Sequence, residues 1–160
     1  MSTHRAEIYW QRQGENFLDG RYSRRHELRF ATSVRVVGTA SPAVVPIAYC
    51  DPDAVDPEAA FVASLAGCHM LWFLSLAAAE GYRVDAYQDA ATGLLGRNAE
   101  DALAIIEVTL APRVRFDTEH APGEAAHRVL HERAHAQCFI ARSVRCEMQL
   151  NPTLERTLLG

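Results

Sequence analysis

The sequence predicts an α+β fold on three observations. The first fifty residues read as short strands and turns. A long segment without formal charge, Ala59 to Ala79, sits between a helix start signal and a helix stop signal. The remainder holds strand-like runs broken by one further helical stretch. At 160 residues the chain is of single-domain length, residues 1–160, long enough to bury roughly two thirds of its unfolded surface.

The elements follow in order. "RAEIYW" reads as a strand ending at a Gly14 turn. "NFLDGRYSRRHELRF" carries an Asp19-Gly20 turn followed by alternating residues, and "VRVV" extends or follows that strand. In "DPDAVDPEAAF", Asp56 is the helix cap, Pro57 suits the first helical position, and Glu58 favours the positive end of the dipole. The helix is predicted to reach Glu80, with Gly81 just past its end. Phe61, Leu65, Cys68/His69, Trp72 and Leu76 form one stripe along it. Its composition predicts a fully buried core helix. "YRVDAYQDAATGLLG" and "LAIIEVTLAPRVRF" read as a two-stranded hairpin around "RNAED". Pro122 and Gly123 introduce a second helix through Ala136, and "SVRCEMQL" is the last strand, with Val144, Cys146, Met148 and Leu150 on one face.

Composition removes several function classes. Net charge is −4, and all 16 basic residues are arginines, scattered along the chain, so no nucleic-acid or anionic-membrane surface is expected. The absence of lysine excludes lysine Schiff-base chemistry and the P-loop lysine. The flanks of Ala59–Ala79 are acidic rather than basic, which argues for a core helix over a membrane span. The first seventeen residues contain no apolar signal-peptide region, so a reducing, cytoplasmic setting is expected. There the four cysteines, Cys50, Cys68, Cys138 and Cys146, point to reactive rather than structural thiols.

Two motifs compete near the C-terminus. His131-Glu-Arg-Ala-His135 satisfies H-E-x-x-H, which on a helix places His131 and His135 one turn apart with Glu132 as a base. His127 extends that ridge. A catalytic zinc needs a third protein ligand, and no further ligand motif follows in the 25 residues after His135. The pattern is therefore read as the solvated face of a helix whose buried side is Ala126, Val129, Leu130 and Ala134. Cys138, three residues on, falls at a bend where a thiol can be approached. Cys68 sits mid-helix in the most apolar segment, Cys146 points inward, and Cys50 lies in a loop.

"DPEAAFVASLAGCHM" together with "AHAQCFIARSV", and "YSRRHEL" in the N-terminal strand, resemble the OsmC/Ohr family of thiol-dependent hydroperoxide reductases. The resemblance covers most of the chain. It implies antiparallel sheets packed around a long central helix, in an intertwined homodimer. It implies Cys68 as the peroxidatic cysteine, Cys138 as the resolving cysteine, Glu58 at the start of the central helix, and an arginine contacting the thiol. Arg24 is placed first for that role and Arg25 second. No cofactor or metal is implied. The substrate would be an organic hydroperoxide and the reductant an external dithiol. Two other readings stand beside it: an OsmC-fold thiol redox sensor or lipophilic-ligand binder using an apolar wall of Phe61, Leu65, Trp72 and Phe73, and a zinc hydrolase.

A thiol with a pKa of about 8.5 is a poor nucleophile at neutral pH, and burial raises that value further. A nearby guanidinium would stabilise the thiolate and donate to a peroxide oxygen; a carboxylate would orient the guanidinium. Glu58 and Cys68 stand ten residues apart, about 15 Å along a helix and about 80° apart in phase, so one straight helix cannot bring them together. Either the helix breaks, or Glu58 serves Cys68 of a partner chain.

Overall fold

The structure, a computed structural model describing residues 1–31 and 33–155, divides into two compact units, Met1–Ala60 and the chain from Phe61 on. In the first unit, β1 (Ala6–Tyr9), β2 (His26–Phe30) and β3 (Arg35–Gly38) form an antiparallel sheet in the order β1-β2-β3, with Ala6 opposite Phe30 and His26 opposite Gly38. The alternation predicted from Tyr22 onward becomes strand only at His26. Before it, Asn16 caps a short 3-10 turn, Phe17–Asp19, and Gly20 ends it at φ 75°, a conformation that favours glycine. Tyr22 stays outside the strand and stacks on Phe17 at 4.6 Å between ring centroids. Large apolar side chains of this unit face outward, Ile8, Leu18 and Ile47 among them.

Helix α1 spans Pro57–Ala79, close to its predicted limits. The Asp56 carboxylate accepts the Ala59 N–H at 2.8 Å, the cap the sequence indicated. Gly81, at φ 81°, ends the helix, and the Tyr82 N–H reaches back to the Ala77 carbonyl.

From Phe61 on, α1 packs with two three-stranded sheets and a second helix. The strands are β4 (Val84–Asp89), β5 (Thr92–Arg97), β6 (Leu103–Leu110), β7 (Pro112–Phe116), β8 (Glu147–Leu150) and β9 (Thr153–Glu155). Each of the two long runs read as one strand breaks into two. The inner halves, β5 and β6, form the predicted hairpin; the outer halves, β4 and β7, pair in the other sheet. The Asp89 carboxylate accepts the Ala111 N–H at 2.8 Å and ties the two breaks together, and Pro112, lacking an N–H, cannot continue the β6 ladder. β8 joins β6 and β9 joins β7, both in parallel, so these sheets are mixed rather than antiparallel. β9, after Asn151-Pro152, had no counterpart in the sequence reading, and β8 begins only at Glu147. The alternation of Val144, Cys146, Met148 and Leu150 toward Leu65, Val108 and Leu110 holds as predicted.

Helix α2 spans Glu124–Gln137. Its Leu130 and Ala134 meet Phe73, Leu76 and Ala77 of α1 and Val114 and Phe116 of β7 in a second cluster. The helix stripe differs from the one predicted: Phe73 is fully buried, whereas Trp72 is only partly so. Nor is α1 buried all round within one chain. It is long and apolar enough to cross a membrane by length and composition, yet Leu71 is 65% exposed.

The largest departure concerns α2. His127 and His131 do not face solvent; both are buried, while Val129, assigned to the core, is exposed. His131 Nδ1 lies 3.0 Å from Nε2 of His69 on α1, and His131 Nε2 lies 3.1 Å from His127 Nε2. The His131 ring stacks on Phe73 at 4.1 Å. An imidazole is an apolar body with two polar edges, so it serves a core once neighbouring rings satisfy those edges. Both His131 nitrogens are thereby engaged by other histidines, while Glu132 is exposed and His135 half-buried.

Burial pushes all three rings toward the neutral form. His131 falls to about 3, helped by its two histidine neighbours, and His69 to about 4, helped by His135; His127 is lowered by burial alone. The unfolded chain, whose histidines titrate near their ordinary value of about 6.5, takes up protons that the folded chain refuses. Stability is thus intact above that value and lost as pH falls from about 6.5 toward 4. Denaturant unfolding at pH 7 and pH 5 should show a loss of about 2 kcal/mol for each of His131 and His69. Equal stability at the two pH values would contradict the buried placement.

Candidate functional site

Cys138 ends α2, and its position follows from local hydrogen bonding. Its N–H closes the helix onto the Ala134 and His135 carbonyls, after which its backbone turns extended. A 3-10 turn, Ala141–Ser143, then folds the chain around the sulfur: the Ala141 N–H donates to Sγ at 3.4 Å, and the Arg142 N–H donates to the Cys138 carbonyl. The sequence placed this thiol at an approachable bend. The bend is there, but the side chain is only 1% exposed.

Near it is Cys68, in the middle of α1, whose sulfur acts on the Cys138 thiol. All four cysteines are free thiols. Burial first, and then the Cys68 sulfur, push Cys138 up to about 11, against the weaker opposing pull of the Ala141 and Ile140 amides. At neutral pH Cys138 is therefore a protonated thiol, suited to a second attack rather than a first. Cys146 is also raised by burial and packs among Val144 and Met148. Cys50 lies in the first unit, its thiol directed at the Val45 and Pro46 carbonyls.

Cys68 opens onto a hollow of about 500 Å³ lined by Ser64, Leu71, Trp72, Ser75, Phe139 and Ile140. Its surface is apolar apart from the two serines. Of the wall expected from sequence, Trp72 is present; Phe61, Leu65 and Phe73 instead belong to the two core clusters. Leu71 was missed because it falls off the buried stripe of α1. Phe139 and Ile140, directly after Cys138, were not expected in the wall either.

In the first unit, Arg24 and Arg25 diverge. Arg24 lies over the Tyr22 ring, its Cζ 3.6 Å from the centroid, and donates to the Tyr22 and Gly20 carbonyls. With Trp10, Phe17, Tyr22 and His26 it lines an apolar hollow of about 470 Å³. Tyr22, Arg24 and His26, alternate residues, thus face one hollow although only His26 lies in a strand. Arg25 points elsewhere and pairs with Asp51. Glu58 Oε2 is buried with no hydrogen-bond partner, a costly state for a carboxylate oxygen. Helix α1 runs unbroken through Glu58 and Cys68, which removes the broken-helix alternative.

A family profile described as "OsmC-like protein" matches residues 50–153. An OsmC-like protein of unknown function from Vibrio cholerae superposes with a TM-score of 0.93 at 41% identity, over 95% of this chain and 99% of that one. An organic hydroperoxide resistance protein from Elizabethkingia anophelis gives a TM-score of 0.69 at 14% identity, over 98% of both chains. The organic hydroperoxide resistance protein OhrB of Bacillus subtilis gives 0.62 at 13%, over 96% and 98%. No curated protein matches significantly. The profile match and the Vibrio relative, on a fold with Cys68 against Cys138, place this chain in the OsmC-like family.

Proposed function

We propose that the protein is a thiol-dependent hydroperoxide reductase acting on organic hydroperoxides in a reducing, cytoplasmic compartment. The observation that carries this reading is Cys68 lining an apolar hollow with the buried Cys138 thiol beside it. Cys68, as thiolate, attacks the outer peroxide oxygen. The O–O bond breaks, the sulfur is oxidised to sulfenic acid, and the departing alkoxide takes a proton to become the alcohol. The Cys138 sulfur then attacks Cys68, the S–O bond breaks, and hydroxide leaves as water with the Cys138 proton. An external dithiol reduces the resulting disulfide by exchange. The hollow accepts the organic portion, and its apolar lining favours an alkyl or aryl hydroperoxide over hydrogen peroxide.

The unpartnered Glu58 oxygen, the unbroken α1 and the exposed apolar residues Leu18, Ile47, Leu71 and Phe139 support a homodimer in which Glu58 and Arg24 of one protomer serve Cys68 of its partner. Glu58 would hold the guanidinium, and the guanidinium would stabilise the thiolate. The high position of the Cys138 thiol also fits a slower device, a redox sensor, and turnover separates the two.

Stopped-flow mixing of reduced protein with cumene hydroperoxide should consume two thiols per peroxide. Cys68→Ser should abolish consumption, and Cys138→Ser should permit one turnover ending in a trappable sulfenic acid. Unchanged consumption by Cys68→Ser would overturn the reading, and stoichiometric zinc without peroxide consumption would favour the hydrolase. Light scattering should give twice the chain mass, and Glu58→Gln should lower kcat/KM about 10-fold or more with the dimer intact. A monomer with full peroxidase activity would overturn the shared site.

A further inference from the structure

The thiol chemistry leaves one buried cluster unused: the string His127, His131, His69. Each link carries one proton, and each neutral ring has one N–H, so the donors run in series. Either His127 donates to His131 and His131 to His69, or both bonds reverse. His131 is the middle ring and has no spare nitrogen.

The string stands beside the thiols on both helices. On α1, His69 is the residue after Cys68. On α2, Cys138 lies two turns beyond His131 on the same stripe, seven residues on. The seam between α1 and α2 is therefore tied ring to ring, with the two thiols flanking that tie.

The apolar part of that seam sets register weakly. Phe73, Leu76 and Ala77 meet Leu130 and Ala134 in a helix otherwise full of Ala and Leu, so a slide of one turn, about 5.4 Å, would exchange similar apolar contacts. The rings have no such equivalence. A slide would leave buried imidazole nitrogens unpaired, each costing about 1–3 kcal/mol, and would part the two sulfurs. A buried polar contact that fixes helix register is an established physical device, exemplified by a lone asparagine in a coiled-coil seam.

We propose that His69 and His131, steadied by His127, are positioning residues that set the register of α1 against α2 and so hold Cys138 within bonding reach of Cys68. This rests on the Cys68–Cys138 disulfide of the proposed function but concerns proximity, not peroxide attack.

The test uses the full-length protein equilibrated in glutathione redox buffers. Cys68 and Cys138 each give up one electron and one proton, and glutathione disulfide is reduced to two glutathiones. The equilibrium constant reports the effective concentration of one thiol at the other. Replacing both partners of the bond between the helices, His69→Leu with His131→Leu, removes that polar pair and leaves only His127 Nε2 without its ring partner, so the protein should stay folded with a modestly lower thermal midpoint. The constant should nevertheless fall at least tenfold, about 30 mV in potential. A folded double variant with an unchanged constant overturns the positioning role. Should the double variant not fold, His131→Gln, whose amide holds one neighbour but not both in the ring geometry, decides instead: a three- to tenfold fall supports the role, and the wild-type value overturns it. A wild-type protein that forms no Cys68–Cys138 disulfide overturns the thiol chemistry and this inference together.

Discussion

Everything reactive in the unit from Phe61 on depends on how α1 meets α2. α1 contributes 23 residues without lysine or arginine and with Glu58 as its only acid. Such a helix has ample surface to bury but little chemistry to tell one packing from another. The seam resolves this by placing its few polar atoms together, His69 against His131 and Cys68 against Cys138. Apolar contact drives the helices together, and polar contact selects where they stop.

Burial then gives the two thiols different parts. They are near neighbours, yet Cys138 is wrapped by its own backbone turn while Cys68 lies at the edge of an apolar hollow. A sulfur that no reagent reaches from outside, and that keeps its proton at neutral pH, suits an attack on its neighbour. Cys146, by contrast half-buried, packs among apolar neighbours such as Val144 and Met148.

Legibility in the sequence followed how local each cause was. The Asp56 cap, the Gly81 stop, the α2 limits and the Val144–Leu150 alternation rest on contacts within a few residues, and they read correctly. The split of each long β run did not. It depends on Asp89 bonding to Ala111, 22 residues away, and on partners β8 and β9 that arrive only at the end of the chain. Cys68 and Cys138 were legible as a pair only because two motifs were weighed together. Of the hollow beside them only Cys68 and Trp72 were legible, since Leu71 faces away from the stripe that periodicity picks out.

The histidines of α2 show why a polar pattern misleads. "HRVLHERAH" puts His127, His131 and His135 on one ridge, and a polar ridge on an amphipathic helix ordinarily faces water. That inference treats each histidine as a charge. Two of these rings behave as flat apolar bodies with edges that pair among themselves, because Phe73 offers one a face and His69 a nitrogen. The deciding residue, His69, lies 62 positions earlier in what reads as an unbroken apolar helix. The same geometry undoes the zinc reading: a ring with both nitrogens engaged by other rings has no lone pair to aim at a metal held with Glu132 and His135. H-E-x-x-H is a motif only when its two histidines point outward from the core into a cleft, and on this helix the first of them points into the packing that joins the thiols.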